Sequence, residues 1–238
     1  MNHPNLIYCA GGNKRFAEIA ISIGYLYGAR LPRDKPHFPI YFADQDWKNP
    51  KRERYMIELQ RHHPQIATVL DLQNRKQLKE VFSWAEEASQ FCEMVVIIPK
   101  VAGIIKQIPK KINRKNVILG FSVPTRYGST PVSEEEFKNR VVHLLGGSPH
   151  AQMRLWQRMS CFAEIFSVDG NYVQRMAVHY NRFWTKGDAH YARNRWLPRL
   201  DEADGNKWDH DAPYEAFKRS CVNIKRAWIE VVKGCLLE

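Results

Sequence analysis

Long hydrophobic runs, paired cysteines and clustered metal ligands are what this 238-residue sequence lacks. No stretch approaches the roughly 18 consecutive apolar residues that a membrane-spanning helix needs, so no membrane partner is expected. The opening MNHPNLIYCAGG does not have the charged-then-apolar pattern of a secretory signal, and a cytoplasmic protein is the expectation. The five cysteines, Cys9, Cys92, Cys161, Cys221 and Cys235, are scattered without a CxxC pair or an even disulfide framework, which predicts reduced, mostly buried thiols. His62, His63 and His150 have no partner at metal-ligand spacing, so no metal site is expected. Acidic residues, finally, are missing from Met94 to Ser133.

What is present describes a basic globular protein. Apolar residues make up 44% and charged residues 26%, the balance of a chain that can bury a core, and a single domain over residues 1–238 is expected. Lys and Arg outnumber Asp and Glu by 36 to 25, a formal net charge of +11, which points to a polyanionic partner. Lys100, Lys106, Lys110, Lys111, Arg114, Lys115 and Arg126 all fall inside the acid-free stretch. A solvated basic surface would read the same way, but with no acids to compensate, the expectation is one phosphate-binding side.

Seven short apolar runs recur about every 25 to 30 residues, each followed by a stretch of helical spacing, the signature of β/α units around a parallel sheet. They are LIYCA, PIYFAD, IATVLD, MVVIIP, NVILGF, VVHLLG and EIFSVD, and their near-continuous hydrophobicity is what burial on both faces demands. Amphipathic stretches lie between them at Arg15–Leu26, Pro50–Arg61, Lys76–Phe91 and His150–Phe162. A doubly wound open sheet uses the same units. The number of repeats and the clustering of polar residues at run ends favour an α/β fold of the TIM-like (β/α) barrel kind over residues 1–180, with an irregular or missing eighth strand. Residues 181–238 read as a Trp-rich tract and a helix from near Tyr214. Its face of Tyr214, Phe217, Cys221, Ile224, Trp228 and Val231 predicts packing on the barrel.

In such barrels chemistry sits at the C-terminal strand ends, and here those ends are acidic. FADQDW supplies Asp44 and Asp46, VLD supplies Asp71, and SVDGN supplies Asp169. A lone Asp at a strand-to-helix junction is more often a helix cap, but Asn49-Pro50 offers the next helix a better cap and frees Asp44. Two other runs end in Gly120 and Ser122, and in Gly146, Gly147 and Ser148, where glycines either admit a ligand to the backbone or only make a tight turn. His143, inside an apolar run, reads as a hydrogen-bonded core histidine. Farther on, Phe183, Trp184, Tyr191 and Trp196 interleave with Arg182, Lys186, Arg193 and Arg195, as in a surface for a nucleic-acid strand or a seal over the barrel edge.

In order, these strand ends resemble the tRNA-guanine transglycosylase superfamily, especially its branch that inserts 7-deazaguanine bases into DNA. FADQDW resembles that family's DSGGF-like turn, VLDL its base-recognising aspartate, LGFSVP and HLLGGSP its glycine segments, and FSVDGN its nucleophile. The resemblance spans roughly Leu6 to Tyr180 and implies a TIM barrel that exchanges bases. By it Asp169 is the nucleophile, Asp44 the general acid/base with Asp46 a substitute, and Asp71 the group that hydrogen-bonds the heterocycle. Gly120, Ser122, Gly146, Gly147 and Ser148 would then bind substrate, and Lys100 to Arg126 with Arg182, Arg193 and Arg195 the nucleic acid. The sequence departs from the family in lacking its cysteine-rich zinc site, so no cofactor is expected and DNA is favoured over tRNA. It also ends the fourth run in Ile98-Pro99-Lys100, where the family places a substrate-binding glutamine. Two other readings use the same residues: a barrel glycosylase or nuclease that hydrolyses nucleic acid, and a non-catalytic nucleic-acid-binding protein whose aspartates cap helices.

Overall fold

Apolar runs buried on both faces pair with one another, and here they close on themselves. The computed structural model describes residues 3–9, 11–125, 130–187, 197–200 and 210–234. Its strands are β1 (Asn5–Tyr8), β2 (Leu26–Leu31), β3 (Phe42–Gln45), β4 (Ile66–Thr68), β5 (Met94–Ile97), β6 (Lys111–Ile112), β7 (Lys115–Ser122), β8 (Val141–Leu145) and β9 (Glu164–Asp169). All but β6 run parallel, in the order β1-β2-β3-β4-β5-β7-β8-β9, and β9 pairs back onto β1. The chain therefore forms the expected TIM-like barrel. The short β6 adds an antiparallel hairpin to the N-terminal end of β7.

The eighth strand is neither missing nor late in the chain. It is β2, LYGARL, which the sequence reading overlooked and whose first residue it gave to the preceding helix. Helix α1 (Lys14–Ile23) stops at Gly24, which takes the left-handed φ of 95°. Only Gly24 and Tyr25 separate helix from strand, so no loop signal marks the boundary. Gly28 and Arg30 then break the apolar run. At Gly28 a Cβ would lie 3.0 Å from the Cβ of Cys9 and 3.1 Å from the Phe42 ring.

Side chains alternate between two apolar layers. Ile7, Cys9, Phe42, Ile66, Val96, Ile98 and Ile118 fill the barrel. Leu6, Tyr8, Ala29, Ala43, Ala67, Val95, Leu119 and Leu144 face outward onto the helices. Those helices are α2 (Arg52–His62), α3 (Leu78–Ala88), α4 (Pro149–Met159), α5 (Tyr172–Tyr180) and α6 (Ala212–Gly234). The period of two decides where the site falls: residues that follow the inward core positions point into the barrel mouth.

The C-terminal helix packs as expected. Phe217, Cys221, Ile224, Ala227 and Trp228 of α6 are buried, and α6 lies against α1 and α5. Ahead of it, Trp184 is fully buried; its backbone N–H donates to Ser220 Oγ at 2.9 Å and its indole N–H to His150 Nδ1 at 3.0 Å. Phe183 and Trp184 thus seal the helical layer; Tyr191 and Trp196 lie outside the described residues. No helix among the described residues is long and apolar enough to cross a membrane.

Candidate active site

The ladder brings the inward residues of successive strands side by side. Arg30 is the register partner of Asp44, and Ala43 of Ala67, which places Thr68 next to Asp44. At the C-terminal mouth lies a cavity of about 460 Å³, lined by Asp44, Asp71 and Asp169 together with Arg30, Thr68 and Lys100. Three strands of the predicted set therefore do deliver their aspartates to one space.

Asp169 is held by backbone. One carboxylate oxygen, Oδ1, accepts the Gly146 N–H at 2.9 Å, and Gln152 of α4 donates from Nε2 to the carbonyls of both Gly146 (2.7 Å) and Asp169 (2.6 Å). One amide side chain thus ties two strand ends together. Gly146 can aim its N–H this way because it sits at φ 67°, in the left-handed region.

Asp44 is held by a hydroxyl. Thr68 Oγ1 accepts the Gln45 N–H at 2.6 Å, which leaves its own hydrogen for Asp44 Oδ1 at 3.2 Å. Burial, and then the nearby Asp169 carboxylate, push Asp44 up to about 8; Thr68 and Arg30 pull the other way. Asp71 is raised to about 6, chiefly by burial, against the pull of Lys100. Lys100 itself is lowered by burial and donates from Nζ to Ser122 Oγ. Arg30 is bound by a two-pronged ion pair to Asp34 (3.1 and 3.3 Å), so much of its charge is already matched. Cys9 lies under the carboxylates, its thiol pushed well above its ordinary value by burial and then by Asp44 and Asp169, so it is inert there.

Several residues singled out in the sequence do other work. Asp46 does not line the cavity; its carbonyl accepts from Gln45 Nε2 at 2.8 Å and from the Asn49 N–H at 3.0 Å, shaping the turn. Asn49-Pro50 does not cap α2, whose N-cap position is Lys51 without a side-chain bond. Ser148 caps α4 by accepting the Ala151 N–H at 3.3 Å, with Pro149 in the first turn. Gly147 is fixed by packing: a Cβ there would stand 2.3 Å from Val123 Cγ1. The same holds at Gly120, where a Cβ would come within 2.6 Å of Ile98 Cγ1 and Leu145 Cδ1 inside the barrel. Gly120→Ala is accordingly expected to lose about 1–3 kcal/mol of stability, measured by denaturant unfolding; an unchanged midpoint would contradict the packing argument. Of the predicted substrate-binding set, Asp71, Ser122 and Gly146 reach the cavity.

The basic stretch needs the largest correction. Ser122, at one end of β7, lines the mouth, whereas Lys115 begins that strand roughly 23 Å away at about 3.3 Å per residue. Lys110, Lys111 and Arg114 belong to the hairpin at that far end, and Lys115 pairs with Glu93 at 2.7 Å. Lys106 is there too, because Arg140, just before β8, holds the carbonyls of Ile105 (3.4 Å) and Ile108 (2.9 Å). Among the described cations of the stretch, only Lys100 lines the mouth. Arg182 bridges to Arg199 and donates to the Leu197 carbonyl; Arg126, Arg193 and Arg195 lie outside the described residues.

The sequence reading passed over Arg30 and Thr68 as site residues, and treated Lys100 only as a nucleic-acid-binding cation. It also passed over Trp47, 59% exposed at the lip of the cavity, with the Lys48 ammonium 5.3 Å from its ring centre. Trp47 follows Asp44 by three positions, and that closeness was the available signal. Among the described residues no three His, Cys, Asp or Glu side chains are grouped to hold a metal ion. Among known proteins, a model described as a family of unknown function, DUF6610, matches residues 20–229. No curated protein and no solved structure matches the chain.

Proposed function

The chain belongs to the DUF6610 family, and we propose that it is a base-exchange transglycosylase, a pentosyltransferase that replaces guanine in DNA with a 7-deazaguanine derivative. The observation that carries this reading is a pair of carboxyl groups in one barrel mouth with different surroundings. Asp44 keeps its proton up to about pH 8, while Asp169 takes a backbone N–H on one oxygen.

Base exchange needs those two roles. In the first half, an oxygen of Asp169 bonds to the anomeric carbon, the bond from that carbon to guanine N9 breaks, and guanine leaves with the Asp44 proton. The product is a covalent aspartyl-glycosyl intermediate. In the second half, N9 of the incoming 7-deazaguanine bonds to the anomeric carbon, the ester bond to Asp169 breaks, and the N9 proton passes to Asp44. Nothing is gained or lost in the cycle except one base for another. Asp71 accepts the ring N–H groups of the heterocycle in this scheme, with Lys100 as its counter-charge. The DNA must extrude the target base to reach the mouth. The missing cysteine zinc set favours DNA over tRNA. Because the hairpin cations stand at the other end of the barrel, contacts to the reacting nucleotide fall to Lys100 and the mouth itself.

Nucleoside analysis tests the reading. Cells expressing the protein with a labelled 7-deazaguanine supply should accumulate the label in DNA. Label confined to tRNA would reassign the substrate. Base loss without incorporation would make the protein a hydrolytic glycosylase, and unmodified nucleic acid would leave only a binding role.

The two raised carboxyls also set a pH dependence. Asp71 must be charged to accept from the base and Asp44 must be protonated to release guanine, so kcat/KM should rise through about 6 and fall through about 8. Because the Thr68 hydroxyl favours the Asp44 carboxylate, Thr68→Val should move the alkaline limb to higher pH. A pH-rate profile with an unmoved alkaline limb would contradict the assignment to Asp44.

A further inference from the structure

A fully buried histidine stands behind the carboxylate that attacks. His143 lies in β8 with its ring tilted against Phe42, centroids 4.8 Å apart. Its Nδ1 is 2.8 Å from Ser167 Oγ, and its Nε2 is 3.5 Å from Asp169 Oδ1. At that separation Nε2 makes no hydrogen bond, and among the described residues it has no other partner. A buried ring nitrogen without a partner is costly, and an apolar side chain would fill the same space without that cost. A shift in the ladder puts it there: Val142 pairs with Ile165, but His143 pairs with Ser167, skipping Phe166. That irregularity turns Ser167 and Asp169 together toward the ring.

We propose that His143 is a positioning residue for Asp169, with a hydrogen on Nε2 that closes onto Oδ1 as the aspartyl ester breaks; this rests on the base-exchange reading. The tautomer follows from the partners. A carboxylate offers only lone pairs, so a bare Nε2 facing it in a buried space would be repelled, whereas the Ser167 hydroxyl can donate to Nδ1. Both the Gly146 N–H and Nε2 then converge on Oδ1, leaving Oδ2 to bond the anomeric carbon. In the intermediate Oδ1 is the ester carbonyl. When N9 of the entering base attacks, the carbon–Oδ2 bond breaks, its electron pair returns to the carboxylate, and the N9 proton goes to Asp44. Negative charge reappears on Oδ1 at that moment, and a second donor there stabilises it. Hydrogen bonds that are long in the free enzyme commonly shorten at this stage.

Two measurements test this. In the free protein, ¹⁵N-histidine NMR should show Nδ1 of His143 as the lone-pair nitrogen and Nε2 as the protonated one, with the Nε2 signal moved by Asp169→Asn. A hydrogen fixed on Nδ1 alone would overturn the proposal. In turnover, His143→Leu should lower kcat by about 10–100-fold with KM for the entering base within about twofold, and the covalent DNA–protein adduct should build up on denaturing gels. His143→Gln, whose amide N–H can replace Nε2, should recover most of the rate. Equal losses in Leu and Gln, or no adduct build-up, would assign His143 to packing alone. If His143→Leu fails to fold, Ser167→Ala, which frees the tautomer, should give a smaller loss in the same direction, and an unchanged rate would overturn the proposal. A wild-type protein that neither exchanges bases nor forms an adduct refutes the base-exchange reading instead, and the NMR result still decides whether the contact exists.

Discussion

Asp169→Asn is expected to lower base exchange by at least about 10⁴-fold while DNA binding stays within a few-fold of wild type. The amide cannot act as the attacking oxygen, yet its carbonyl can still accept the Gly146 N–H that now meets Oδ1 at 2.9 Å. The substitution therefore removes the proposed nucleophile and leaves the turn in place. Intact-mass analysis should find no covalent adduct, and thermal unfolding should be close to wild type. Exchange surviving above about a tenth of the wild-type rate would remove Asp169 from the nucleophile role, since loss of such a group affects rate far more than this.

Removing the proposed proton donor has a second, opposite consequence. Asp44→Asn should cut guanine release by about 10²–10⁴-fold, the usual contribution of a general acid. Release of 7-methylguanine, which departs as a neutral base from a cationic nucleoside, needs no proton and should be nearly unaffected. The same variant should be more stable than wild type at high pH. A carboxyl raised from 3.8 to about 8 in the folded state binds its proton more tightly there than in the unfolded chain. Folding stability must then fall as pH rises from about 4 to 8, the reverse of a salt-bridged aspartate. An amide does not titrate, so the variant should match wild type near pH 4. By pH 8 it should gain ~2 kcal/mol, allowing for the part of the carboxyl that faces cavity water. For a chain of this size that is a rise in Tm of ~4–8 °C. A flat difference between pH 4 and 8 would show that Asp44 is not held protonated.

The barrel was legible because strands buried on both faces carry near-continuous apolar runs, and seven of the eight do. The eighth was not, since two of its three inward positions are Gly28, which has no side chain to show a pattern, and Arg30, which lines the cavity, leaving only Leu26 apolar. The same period of two explains why Asp44, Asp71 and Asp169 could be found: each follows an apolar run directly. Chain proximity misled twice. Lys100 and Lys115 share one acid-free stretch, but β7 carries the chain from one end of the barrel to the other between Lys115 and Ser122. Asp46 lies two residues from Asp44, the spacing that should share a face, but it falls beyond the strand end in a turn. His143 was legible as a hydrogen-bonded core histidine, and its bond to Ser167 is that. Its approach to Asp169 depends on a slip in the β8–β9 ladder, and a register shift leaves no trace in hydrophobic pattern.

The hairpin of β6 and β7 sets its basic side chains and the carboxyl-lined mouth at opposite ends of the barrel axis. Its cations gather at one opening and three carboxyl groups at the other. In the proposed function, capture of a polyanion by these cations and the chemistry on it belong to different poles. Added salt should weaken the first through screening over a Debye length of about 10 Å at 0.1 M, and leave the second, enclosed in its pocket, almost untouched.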